Sequence, residues 1–137
     1  MKSKFSQYML HAIELAKRST MEQRHATVII NPKCRDNPIV ATGVNEHLHN
    51  QENRDVFSIH SEQMAISSLL ALKRYQPHFM KNCIAFVARV GPQSLGYPVR
   101  FSKPCPMCEQ LLLKVGIRRV FYTVDDDHMA ELIVHDM

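Results

Sequence analysis

The sequence predicts an α/β domain built on a mixed five-stranded sheet, and three observations carry that expectation. Stretches with apolar residues at three- and four-residue spacing alternate with β-branched runs along the 137 residues. The run Cys83 to Val90, CIAFVARV, is apolar almost throughout, as a strand covered on both faces has to be. Only seven residues separate the fourth strand, 118–123, from the fifth, 131–136, too few for the dozen or so that a parallel crossover needs. The last two strands are therefore expected to pair antiparallel.

Residues 3–18 form the first helix in this reading, because Phe5, Met9, Ala12, Ile13 and Ala16 share one face that should lie on a sheet. Arg24-His25 lead into the β-branched run Ala26 to Asn31, and Ile39 to Val44 is a second short apolar segment. The turn-rich link 32–38 between them argues an antiparallel hairpin, with Cys34 as an ordinary exposed thiol at its tip. Residues 45–59 are polar and aperiodic, which predicts a loop over one end of the sheet.

His60 opens a second helix running to about Arg74, packed through Met64, Ala65, Ser68, Leu69 and Leu72 and ended by Pro77 and its polar neighbours. Within the strand 83–90, Cys83 reads as a small buried hydrophobe. After the connection 91–103, Cys105 stands where a helix cap would, and Pro106 fits the first helical position because its missing N–H is not needed there. Gly116 supplies the left-handed stop after Val115. Residues 118–123 and 131–136 follow as strands around the acidic Asp125-Asp126-Asp127. No repeat, linker or low-complexity tract divides the chain, so residues 1–137 are expected to make a single domain.

Composition narrows the class. No run approaches the roughly 20 apolar residues that span a bilayer, and the N-terminus lacks the apolar core of a signal peptide, so the expected location is cytoplasmic. Four cysteines, two of them in C-x-x-C, then point to metal or redox chemistry rather than a disulfide framework. The net charge of +4 is dispersed in pairs such as Lys17-Arg18, Lys73-Arg74 and Arg118-Arg119 at element ends, which favours solvated faces over a nucleic-acid surface.

The chemistry gathers in His60-Ser61-Glu62 and Pro104-Cys105-Pro106-Met107-Cys108. One imidazole and two thiolates are three zinc ligands, and a tetrahedral zinc with three protein ligands keeps a corner for the water of a catalytic site. Both groups fall at predicted helix starts, where free N–H groups and the helix dipole favour thiolates. Glu62 follows the histidine by two residues, within reach to move that water's proton.

H-x-E followed by P-C-x-x-C is the pattern of zinc deaminases. With 44 residues between His60 and Cys105, and with its order of helix, hairpin, H-x-E helix, strand, P-C-x-x-C helix and strands, the chain resembles the cytidine deaminase-like superfamily over almost its whole length. The resemblance implies a three-layer α/β/α sandwich, zinc on His60, Cys105 and Cys108, and Glu62 as proton shuttle. It implies that Asn45, in T-G-V-N, binds substrate, and that the backbone N–H groups of Ser61 and Cys105 face the reacting ring. Ser61 stands where many members have alanine. His25, at the start of the first strand, is a further candidate for the pocket.

The activity so implied is hydrolytic deamination of a nucleobase, cytosine in a nucleoside or nucleotide, by a homo-oligomer (dimer or tetramer). The alternative within the class is a base in RNA or single-stranded DNA, since P-C-P-M-C is similar to tRNA adenosine deaminases. Two rivals come from other classes. One is a thioredoxin-like dithiol, against which only 29 residues follow Cys108. The other is a closed structural zinc site in a binding module, with Cys34, Cys83, His47 or His49 as fourth ligand. His11, His78, His128 and His135 are expected as surface or capping residues, and Phe57, Tyr97 and Phe101 as loop aromatics that pack on the core.

Overall fold

The computed structural model describes residues 5–49, 56–71 and 77–133. In order these are α1 (Ser6–Ala16), β1 (Arg24–Ile30), β2 (Ile39–Val44), β3 (Glu46–His49), β4 (Val56–Ile59), α2 (Ser61–Ala71), α3 (Pro77–Lys81), β5 (Ile84–Val90), β6 (Val99–Arg100), α4 (Pro106–Val115), β7 (Arg119–Thr123) and β8 (Met129–Ile133). The main sheet is mixed, in the order β2-β1-β5-β7-β8, with β6 paired to β5.

Strand alternation explains how one sheet serves two cores. Ala26, Val28 and Ile30 of β1 and Ile84, Phe86, Ala88 and Val90 of β5 meet Met9, Ala12, Ile13 and Ala16 of α1. The intervening Ile29, Ala85 and Val87 join Val120 of β7 in the other cluster, with Ala65, Ile66 and Leu69 of α2 and Leu112 and Val115 of α4. In the α1 cluster Phe86 stacks on Phe121 at 5.2 Å, and full burial of such a ring contributes about 1.5–3 kcal/mol. A strand buried on both sides has no reason to alternate in polarity, which is why 83–90 reads as one apolar run.

The parallel pair β5 and β7 is connected through α4, and β7 and β8 run antiparallel as expected. The acidic turn holds them: the Asp125 carboxylate accepts the Asp127 N–H (2.9 Å) and lies 2.8 Å from His128 Nδ1. Because that turn is so tight, β8 starts at Met129 rather than at 131.

The structure corrects other expectations. Among the described residues the sheet has six strands, not five, because β6 adds a two-residue pair onto β5 from within the presumed connection. The presumed loop 45–59 carries an antiparallel ribbon, β3 with β4, that pairs Glu46 with Ile59 and brings the chain back to His60. Its polar composition concealed the strands. Pro77 opens the short helix α3, again the first-turn position that a proline tolerates. Residues 72–74, expected as the end of the second helix, and 134–136, expected in the last strand, lie outside the described residues. Cys83 is buried at the entrance to β5, its thiol 3.4 Å from the Phe79 carbonyl. Burial, and then Cys34 nearby, raise its pKa to about 12. Cys34 is half-buried against the α2 cluster rather than exposed.

Candidate active site

Two helix starts make the site, and each is built by local sequence. At α2, Gln63 Oε1 accepts the His60 backbone N–H (2.9 Å) and the His60 carbonyl accepts the Met64 N–H (3.1 Å), the return half of a capping box. At α4, Cys105 is the extended cap residue (φ −69°, ψ 162°), Pro106 takes the first helical position, and Gly116 ends the helix at φ 102°. Both helices therefore begin where the residues dictate, and α4 also stops there.

Hydrogen bonds aim the second start at the first. Ser102 Oγ donates to the Val87 carbonyl (2.7 Å) while Ser102 N–H donates to that of Thr123 (2.9 Å). The segment before Cys105 is thus pinned across the carboxyl ends of the parallel strands β5 and β7, where open α/β sheets place their ligands. Gly43 admits the other helix: a Cβ there would lie 2.4 Å from Ala65 N and from Ser61 O. Only a glycine lets β2 approach α2 so closely.

The consequence is a cluster of three ligands. His60 Nδ1 lies 3.3 Å from Cys108 Sγ and 3.9 Å from Cys105 Sγ, and the three donor atoms fall within 4.8 Å of one another. Tetrahedral zinc, with Zn–S near 2.3 Å and Zn–N near 2.0–2.1 Å, would set nitrogen and sulfur ~3.6 Å apart. The donor set and its spacing fit that ion. Burial first, then the Glu62 carboxylate and Cys105, push the Cys108 thiol far above its ordinary pKa, an environment that a bound cation would offset.

Glu62 is 5% exposed and accepts a hydrogen bond from Ser61 Oγ at 2.9 Å. Beside it opens a cavity of about 540 Å³, lined by His25, Asn45, Ser61, Glu62, Lys103 and Cys105 among others. That volume falls in the range of small-molecule sites. His25 faces it as a neutral ring: burial first, then Arg89, then His60 lower its pKa to about 4.

A family model, the cytidine and deoxycytidylate deaminase zinc-binding region, matches residues 2–124. The chain belongs to that family. Its cofactor is zinc, and His60, Cys105 and Cys108 are the deaminase's groups placed to hold it. No individually curated protein matches the chain. Membership leaves the thioredoxin-like reading without support, and no described helix is long and apolar enough to cross a membrane.

The structure brings His25, Asn45, His60, Ser61, Glu62 and Cys105 into one cavity wall, with Cys108 buried behind. Asn45 does more than sequence suggested. Its Oδ1 accepts the His25 N–H (2.9 Å) and its Nδ2 donates to the Gln23 carbonyl (2.8 Å), so it shapes the start of β1 as well as lining the pocket. Cys34 and Cys83 belong to the apolar cluster, outside the group of three donors. The side chains of His47, His49 and Phe57 lie outside those described. Tyr97 packs on the α1 side of the sheet, and Phe101 meets Tyr122 edge-on (83°), so neither lines the cavity.

Sequence reasoning missed Gly43, Thr27, Lys103 and the segment Met21 to Gln23, all but the first two of which line the cavity. A lone glycine inside a strand does mark a close backbone approach, so Gly43 could have been found. Residues 21–23 carry no such signal.

Proposed function

We propose that this deaminase removes the exocyclic amino group of cytosine in a nucleoside or nucleotide, yielding the uracil form and ammonia. The observation that carries the reading is the buried Glu62 carboxylate, held at the cavity wall beside the cluster of His60, Cys105 and Cys108. His60, Cys105 and Cys108 would hold zinc, whose chemistry when bound is to bring the pKa of water from about 15.7 towards 7.

Glu62 takes a proton from the attacking water and delivers it to the ring nitrogen. The water oxygen bonds to the amino-bearing carbon, and a second proton passes through Glu62 to the amino group. The C–N bond then breaks, ammonia departs and a carbonyl remains. Asn45 orients the substrate with the Nδ2 hydrogen not given to Gln23, His25 stands at the pocket wall as a neutral partner, and the backbone N–H groups of Ser61 and Cys105 face the ring.

The reading takes residues 1–137 as one deaminase domain, a three-layer α/β/α sandwich supported by the apolar clusters on the two sides of the sheet. A cytoplasmic location, which free thiols favour, and a dimer or tetramer belong to it as well.

Ammonia release from a panel of amino-bearing bases, nucleosides, nucleotides and short oligonucleotides tests the assignment. Cytidine, deoxycytidine or a monophosphate should turn over fastest. Preference for an oligonucleotide, with a steep salt dependence, would move the substrate to RNA or single-stranded DNA. Glu62→Gln should keep one zinc per chain and lose ~10²–10⁴ in kcat, the usual range for a lost general acid–base. Unchanged turnover by that variant would remove Glu62 from the mechanism.

A further inference from the structure

We infer that Thr27 and Ser61 act as a hydroxyl pair that positions the Glu62 carboxylate, a role that rests on the proton transfer proposed for Glu62. Thr27 is a polar residue in a strand whose neighbours are Ala26, Val28 and Ile29, and it is fully buried. So is Ser61, the first residue of α2. Burying two hydroxyls costs free energy unless each finds a partner, so a packing role alone would be served better by alanine or valine.

Both hydroxyls have partners, and the partners form a line. Thr27 Oγ1 lies 2.8 Å from Ser61 Oγ, which lies 2.9 Å from Glu62 Oε1. The order of the protons follows from chemistry. An ionised carboxylate only accepts, so Ser61 must give it its single hydrogen. Ser61 then has only lone pairs left for Thr27, and Thr27 is the donor. A hydroxyl that is itself held by a second hydroxyl cannot rotate away, and no solvent reaches either to compete.

One carboxylate oxygen of Glu62 is thereby tied to the framework of β1 and α2, which fixes where the carboxylate stands beside Cys108. The tie adds little to substrate binding, because neither hydroxyl need touch the substrate. Its effect belongs to the proton-transfer step, where misplacement of a catalytic group by about 1 Å can cost up to 10²-fold. Thr27 and Ser61 are positioning residues, not catalytic ones.

The test compares Ser61→Ala, Thr27→Val and Thr27→Ser with Glu62→Gln. Ser61→Ala should lower kcat ~10-fold, with KM and zinc per chain within about 2-fold of the parent. Thr27→Val should lower kcat in the same direction, Thr27→Ser should restore it, and Ser61→Ala combined with Thr27→Val should be no worse than Ser61→Ala, since Thr27 acts through Ser61. Independently of turnover, crystals of metal-free Ser61→Ala should show the Glu62 carboxylate in more than one position. Parental kcat in Ser61→Ala beside an inactive Glu62→Gln would overturn the pairing while leaving the proposed reaction intact. A joint fall of kcat, zinc content and thermal stability would overturn it too, by showing that the hydroxyls only fasten α2 to β1. Full activity in Glu62→Gln would instead sink the proposed reaction beneath it.

Discussion

Burial strips water from His25 while the Arg89 guanidinium and the His60 ring oppose a second positive charge, and the pKa falls from 6.5 to about 4. Between those two pH values the unfolded chain binds a proton that the folded chain refuses. Stability contributed by the neutral ring is therefore complete above pH 6.5 and is lost as pH drops towards 4. A shift of this size corresponds to at most ~3 kcal/mol. Urea unfolding of the metal-free protein should show stability falling across that window, and His25→Gln should flatten the slope. Equal slopes for the two chains would mean that His25 titrates as it does in water. The same residue shows what a sequence reveals at this scale. His25 was recognisable as a pocket candidate from its place at the head of β1, but its charge state depends on burial first and then on Arg89 across the β1 and β5 pairing, 64 residues further along the chain.

At the scale of elements, the site depends on how closely α2 can lie against β2. Added carbon at Gly43 would meet backbone atoms of α2 at 2.4 Å, and backbone cannot swing aside as a flexible side chain can. Gly43→Ala should therefore cost at least the ~1–3 kcal/mol typical of overpacking and shift the start of α2 that carries His60. Chemical denaturation measures the first effect, and zinc titration by calorimetry should show weaker binding. Unchanged zinc affinity would mean that the start of α2 is set by α4 and not by the strand beneath it. The element starts themselves were legible: Pro106 and Gly116 bracket α4 by local rules alone. The β3 and β4 ribbon was not, because Glu46 to His49 and Val56 to Ile59 are short segments with no sustained apolar alternation.

For the whole molecule, the metal should matter to stability without being the only source of it. Zinc would join residues separated by 44 positions, yet apolar clusters lie on both sides of the sheet independently of that joint. A ligand bound only by the folded chain stabilises it by ~4.1 kcal/mol at a thousand times its Kd. Chelation should thus lower Tm by several degrees while the far-ultraviolet circular dichroism of the folded chain persists at 25 °C, and added zinc should restore Tm. Collapse of the circular dichroism on chelation at 25 °C would show instead that the metal is required for folding.

Periodicity and helix-stop chemistry pointed to an α/β chain, and two short motifs to a resemblance to zinc deaminases, a histidine and two cysteines able to hold a metal, and a carboxylate two residues from that histidine, because each of those is a local property of spacing and residue type. The extra edge strand, the ribbon before His60, the double duty of Asn45 and the hydroxyl line from Thr27 to Glu62 were decided only by tertiary structure. They are contacts between segments distant in sequence, and nothing in one segment states which atom of another it will meet.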